Sequence, residues 1–164
     1  MANTQHIINF IREVGLQVHE RSLSDATFLP GILIERGELV VDLEKLDHPG
    51  DMLHEAGHIS ITAPSERDSL GGDLKSGPGE EMAAIAWSYD AAAIHLGIDA
   101  SEVFHEEGYK GAGESLVENF EKGGWVGVPL LEWYGMTRYQ REDLNGPDFP
   151  KMHEWVRKTE NPSA

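Results

Sequence analysis

Cysteine is absent from this 164-residue chain. Disulfides are therefore excluded, and so is every metal site built on thiolates. Any transition-metal centre must come from His, Asp and Glu. Basic residues are scarce: 13 Lys and Arg stand against 29 Asp and Glu, a net charge of −16. Such a surface repels phosphate backbones and anionic lipid, so neither direct nucleic-acid binding nor membrane binding is expected. No apolar run approaches the roughly 18 residues of a membrane span. The opening MANTQHIINFIREVGL has neither the basic start nor the apolar stretch of a secretory signal. A cytoplasmic location is expected. Fixed-period repeats and low-complexity tracts are missing too, and only the closing Asn161-Pro162-Ser163-Ala164 reads as a loose tail.

What remains fits one domain over residues 1–164. Ile7, Ile8, Phe10, Ile11 and Val14 recur at helical spacing, and Gly15 closes that helix. Leu16 to His19 reads as a short strand. In GILIERGELVVDLEKL, two apolar runs flank Glu35-Arg36-Gly37-Glu38, the pattern of a β-hairpin with glycine at the turn. A helix to about Ile61 follows, with Asp47 or His48 as its cap and Pro49 in its first turn. Ser65 to Gly79 reads as a loop. Pro78 to Leu96 is the longest helical stretch, rich in alanine and so suited to close packing. Shorter helices are expected after a Ser101 cap, over Ala112 to Lys122 and over Val128 to Gly135. A last amphipathic helix is expected over Asp148 to Lys158. The class is α+β, with a small sheet near the N-terminal half and a helical C-terminal part.

The chemistry concentrates in DMLHEAGHISI, Asp51 to Ile61. His54 and His58 are one helical turn apart and share a face. Two imidazoles so placed can hold one zinc ion at about 2.0–2.1 Å each. Glu55 stands about 100° round the helix, where it can take a proton from water without ligating. With 8 histidines in the chain, His-Glu-x-x-His arises by chance at roughly the 5% level, so context must decide. Between Met52 and Ile61 the only polar residues are His54, Glu55, His58 and Ser60. A helix this apolar is buried, and burying two histidines and a glutamate without partners costs several kcal/mol. A metal supplies the partner. The bland alternative is a pair of core histidines bonded to carbonyls. His105-Glu106 and His153-Glu154 open the same motif but lack the second histidine. Gly57, costly by about 1 kcal/mol inside a helix, marks a second backbone close by, with the hairpin as the natural neighbour.

A catalytic zinc site needs a third protein ligand and an open position. Without cysteine, an acidic residue on a second helix is the leading candidate. GPGEEMAAIAW offers Glu80 and Glu81, of which only one can face the metal. Helix-start electrostatics alone accounts for at least one of them. Asp90 and His95 are weaker candidates.

In order and spacing, the N-terminal helix, the short strand, Phe28-Leu29-Pro30-Gly31, the hairpin, LHEAGHI and a helix opening on Glu-Glu resemble the ImmA/IrrE-type metallopeptidases. ESLVENFEKGGWVGVPLLEWYGMT resembles that family's C-terminal helical segment. The likeness spans about residues 5–137, leaving 138–164 as an extension, and only HEAGH is sharp. It implies a zincin-like fold and a Zn2+-dependent peptidase of the gluzincin kind. His54, His58 and Glu81 would be the metal ligands and Glu55 the catalytic base. The substrate would be a peptide or protein, in that family commonly a transcriptional repressor. The chain departs from the family after the glutamate pair, where Met82 stands in place of the usual alanine and the aromatic is Trp87.

Peptide hydrolysis also needs a donor for the developing oxyanion. Tyr89, Tyr109, Tyr134, His95 and His105 are the candidates. Asp51 and Asp90 are candidates for orienting the histidines. Two other classes fit the same motif: a zinc-holding interaction module without activity, and a small-molecule metallohydrolase. The base at Glu55 speaks against the first, and the lack of a cysteine ligand speaks against a deformylase-like form of the second.

Overall fold

The computed structural model describes residues 4–71, 77–105, 118–119, 122, 126–140, 142–143 and 146–160, the side chains of 90–93 excepted. The class is α+β, as expected. Helix α1, Thr4–Glu13, turns Ile7, Ile8, Phe10 and Ile11 into the core. Strand β1 is Val18–Glu20, β2 Ile32–Glu35 and β3 Glu38–Val41. They form a three-stranded mixed sheet in the order β1-β3-β2. β3 is central, parallel to β1 (Val18 opposite Leu39) and antiparallel to β2 (Ile34 opposite Leu39). The β2–β3 turn has positive φ at both central residues, 54° at Arg36 and 73° at Gly37. That is the turn whose twist suits a two-residue hairpin.

Helix α2, Asp51–Ile61, buries every residue except Glu55, which is half-buried. Its cap corrects the sequence reading. Gly50 occupies the cap position, with no side-chain cap bond, and neither Asp47 nor His48 does. A side chain at Gly50 would overlap the Glu102 carbonyl, so close packing decides this helix start. Beyond α2 lies the short α3, Pro64–Arg67. Two guanidiniums close the C-terminal end of α2. Arg67 donates to the carbonyls of Ile59 (3.3 Å), Thr62 (3.0 Å) and Arg157 (2.7 Å), and Arg157 donates to Ile61 (3.1 Å). Cations there satisfy the last carbonyls and oppose the helix dipole.

Helix α4, Pro78–Ala86, runs on into wider π-type winding over Trp87–Ile94. Helix α5, Ala100–Val103, is capped by Asp99, whose carboxylate accepts from the Ser101 N–H at 2.9 Å. Ser101 is thus the capped residue and not the cap. Helix α6, Val128–Trp133, matches its expected place. The helix expected over 112–122 lies mostly outside the described residues, though the Lys122 N–H bonds the Glu118 carbonyl, as in a helical turn.

The last expected helix does not form. Residues 148–158 run irregularly, because their backbone bonds go to the rest of the fold. His153 and Glu154 N–H groups both reach the Met136 carbonyl, and the Arg157 N–H reaches Ser60. Trp155 packs edge-on against Phe10 and Trp87. These contacts replace the helical ladder. One hydrophobic cluster joins α1, the sheet, α2, α4, the π segment and α6. No helix among the described residues is long and apolar enough to cross a membrane.

Candidate metal centre

One turn of α2 brings the His54 and His58 Nε2 atoms to 3.1 Å, with the ring planes at 88°. Both rings are buried, 8% and 6% exposed. Their third neighbour comes from α4. Glu81 Oε1 is 3.0 Å from His54 Nε2, and Oε2 is 2.9 Å from His58 Nε2. The carboxylate therefore spans the histidine pair, one oxygen to each ring.

Close packing of α2 on α4 makes this possible. A Cβ on Gly57 would stand 2.9 Å from the Ala84 carbonyl oxygen and 3.3 Å from the Trp87 ring. Gly57 is therefore needed for a close approach, as expected, but its neighbour is α4 and the start of the π segment. The expectation of the hairpin is corrected: the sheet packs on another side of α2. Glu80 turns back over its own helix start, its Oε2 only 2.6 Å from where a Cβ on Gly77 would stand. Of the two adjacent glutamates, Glu81 meets the histidines.

Three donors about 2.05 Å from one tetrahedral ion lie about 3.3 Å from each other. The observed separations of 2.9, 3.0 and 3.1 Å are within a few tenths of that. The side chains are thus assembled at the spacing a shared cation needs. His54, Glu55 and His58 also offer ligand atoms within 4.8 Å of one another, so this His-Glu-His group can hold a metal ion.

Electrostatics separates the two carboxylates. Burial acts to raise the Glu81 carboxyl, but hydrogen bonds and charge from His54 and His58 outweigh it and hold it far below the ordinary range. At Glu55 burial wins, and the carboxyl is raised in spite of the pull of His54 and His58. Glu81 is thus fixed as an anion, suited to a cation. Glu55 is the more basic of the two, suited to accept a proton.

Asp51, one turn earlier on α2, is buried, and its Oδ1 is 2.5 Å from His105 Nε2. The His48 ring stacks on His105 with centroids 3.7 Å apart. Burial raises the Asp51 carboxyl, opposed chiefly by its bond to His105. Sequence reasoning named Asp51 and His105 singly and missed that they pair. It had no signal for that, because 54 residues separate them.

The other oxyanion candidates are taken up elsewhere. Tyr89 stacks on Phe104, Tyr134 lies 4.3 Å beneath the Arg157 guanidinium, and His95 packs on Phe10 and Trp155. Tyr109 and the Asp90 side chain lie outside the described residues. The truncated motif at His153-Glu154 is structural: His153 Nε2 meets the Gly135 carbonyl at 2.5 Å, and Glu154 pairs with Lys158 at 3.0 Å. Comparison of the chain with protein-family models, with curated proteins and with solved structures finds no match.

Proposed function

We propose that the chain is a zinc-dependent metallopeptidase with a zincin-like arrangement. The observation that carries the reading is the Glu81 carboxylate placed across the His54–His58 pair, with Glu55 beside it. Two imidazoles and one carboxylate, with no thiolate, form a ligand set used for catalytic zinc. His54, His58 and Glu81 would hold the ion. A bound zinc supplies a Lewis acid and a water acidified to a pKa near 7.

Glu55 does the proton work. Its raised carboxyl takes the proton of the attacking water and returns it to the leaving nitrogen.

A peptide as substrate is supported by the sheet. β2 is an edge strand of the three-stranded sheet, its outer side bridged at Glu35 by Gly71, and the antiparallel ladder turns the Ile32 carbonyl away from β3, where an extended chain would pair. The resemblance to ImmA/IrrE peptidases and the net charge of −16 together favour a basic regulatory protein, such as a transcriptional repressor, as the natural substrate. A pure interaction module has no use for a half-buried base with a raised carboxyl at Glu55. Elemental analysis of protein purified without chelator is expected to give about one zinc per chain. Cleavage of a mixed peptide pool is expected to stop in Glu55→Gln while zinc content holds. Zinc-free wild type that takes up none on addition would overturn the proposal.

A further inference from the structure

The last turn of α2 carries His58, and the carbonyls at a helix end have no partner inside the helix. From His58 to Ile61 each of them is satisfied from outside. The Thr62 hydroxyl donates to His58 at 2.6 Å. The Thr62 N–H and the Arg67 guanidinium both donate to Ile59, each at 3.3 Å. The remaining two bonds come from Arg157. Its N–H reaches the Ser60 carbonyl at 2.8 Å, and its guanidinium reaches Ile61 at 3.1 Å.

The same stretch of chain meets α2 a second time, through Trp87. The Trp155 carbonyl accepts from Trp87 Nε1 at 2.8 Å, and the two rings stand edge to face with centroids 5.7 Å apart. The Trp87 ring in turn lies 3.3 Å from where a Cβ on Gly57 would be. Gly57 sits between the two histidines on α2. Residues 155–160 therefore bear on the metal helix at two points, the turn of His58 and the backbone behind the pair.

This stretch holds on by a few bonds. Arg67 donates to the Arg157 carbonyl at 2.7 Å, and the Glu160 carboxylate accepts from the Ser65 N–H at 2.9 Å and its hydroxyl at 2.5 Å. Residues 155–160 form neither helix nor strand, and Lys158, Thr159 and Glu160 are exposed. Such a segment opens by itself more readily than the core unfolds. We propose that residues 155–160 are a strap that positions His58 for metal. Docked, the strap completes the turn that carries His58; released, it leaves the Ser60 and Ile61 carbonyls bare, the turn frays, and the ion is held more weakly. Arg157 is the positioning residue at its centre. The inference rests on the metal centre of the reading given above and not on peptide hydrolysis.

Coupling of this kind is reciprocal. If release of the strap weakens zinc binding, zinc must hold the strap down by the same factor. The test is hydrogen exchange by NMR on the full chain, with zinc alone as the probe. Two amides are compared: Arg157, bonded to Ser60, and Leu39, bonded at 3.0 Å to the Gln17 carbonyl in the sheet. Without metal, Arg157 is expected to exchange faster than Leu39, by opening of the strap alone. Zinc at about 100 times its Kd is expected to slow Arg157 about tenfold or more, and in Glu81→Gln the same zinc should slow it no more than about twofold. A strap with a merely structural role would open with the ion still bound, and its rate would not move. Arg157→Met, which removes the guanidinium, is expected to weaken zinc about tenfold or more in competition with a chelating dye, at a temperature where circular dichroism shows the variant folded. Should it misfold, the wild-type exchange rates still decide. Zinc uptake with the Arg157 rate unmoved would overturn the strap and leave the metal centre standing, as would Arg157 and Leu39 exchanging together without metal. Coupled exchange with no peptide cleaved would overturn the peptidase and leave the strap standing. A wild type that takes up no zinc would overturn the metal centre and the strap's role with it.

Discussion

Replacing Glu81 by glutamine probes the centre most directly. Its two oxygens each reach a different imidazole, at 3.0 and 2.9 Å. Glutamine keeps the shape and one acceptor but loses the charge. Without metal the change is mild, because the Glu81 side chain is 39% exposed and solvent screens the pair to about 1 kcal/mol at most. In a chain of this size that moves Tm by about 2–4 °C. Metal changes the scale. A ligand that binds only the folded state, present at about 100 times its Kd, adds about 2.7 kcal/mol, or about 5–11 °C. If the lost anion weakens binding about 100-fold, the same zinc stands at its Kd and adds about 0.4 kcal/mol, or about 1–2 °C. Thermal scans with and without zinc should therefore show a large shift in wild type and almost none in Glu81→Gln, from similar metal-free midpoints. Glu80→Gln should keep the full shift, since that carboxylate turns toward Gly77. The reasoning fails if Glu80→Gln loses the shift while Glu81→Gln keeps it, or if no divalent ion shifts the wild type.

Three further outcomes follow from the packing and charge around the centre. Gly57→Ala places a methyl 2.9 Å from the Ala84 carbonyl and should cost about 1–3 kcal/mol while weakening zinc uptake, read by urea denaturation and metal analysis; unchanged stability would mean that α2 and α4 can separate freely. Arg157→Met removes donors to the Ile61, Thr159 and Glu160 carbonyls and the stack on Tyr134. It should cost about 3 kcal/mol, the value of one or two charged hydrogen bonds, and a loss under about 0.5 kcal/mol would show the C-terminal segment to be dispensable. Glu55 carries a pH signature. Burial raises its carboxyl in the folded chain, so the metal-free folded state holds that proton more tightly than the unfolded one. This group therefore lowers stability as pH rises from the ordinary carboxyl range through its raised value. Metal-free Glu55→Gln should be the more stable protein at pH 7, with the gap closing toward about pH 4; denaturation curves showing the same gap at both would contradict the shift.

Where the sequence carried its meaning locally, it could be read. Two histidines four apart face one way on any helix, and a glycine between two apolar runs makes a hairpin turn, so α2, β2 and β3 lie where the spacing put them. Expectations went astray wherever a distant partner decided. Residues 148–158 have helical periodicity, yet carbonyls at Ser60 and Met136 claim their N–H groups. The α2 cap fell to Gly50 because the Glu102 carbonyl leaves no room for a side chain there.

The choice between Glu80 and Glu81 shows the limit most clearly. Both sit in the first turn of α4, and alanines lie three residues beyond each, so neither pattern nor propensity separates them. What separates them is how α4 is rotated between its two neighbours. On one side α6 presses in: a side chain on Gly127 would overlap the Met82 carbonyl, and Leu130 lies 3.4 Å from where a Cβ on Gly79 would be. Glu80 belongs to that side, close enough for its charge to raise Tyr134, whose carrying cause is burial. On the other side Ala84 meets Gly57, and Glu81, one turn before Ala84, is swung over the histidines. Rotating α4 by the 100° between adjacent residues would exchange the two glutamates, but it would also drive α6 into a backbone that only glycine at 127 now clears. The carboxylate that meets the histidines is therefore chosen by a contact on the far side of its helix, between residues that never touch the histidines.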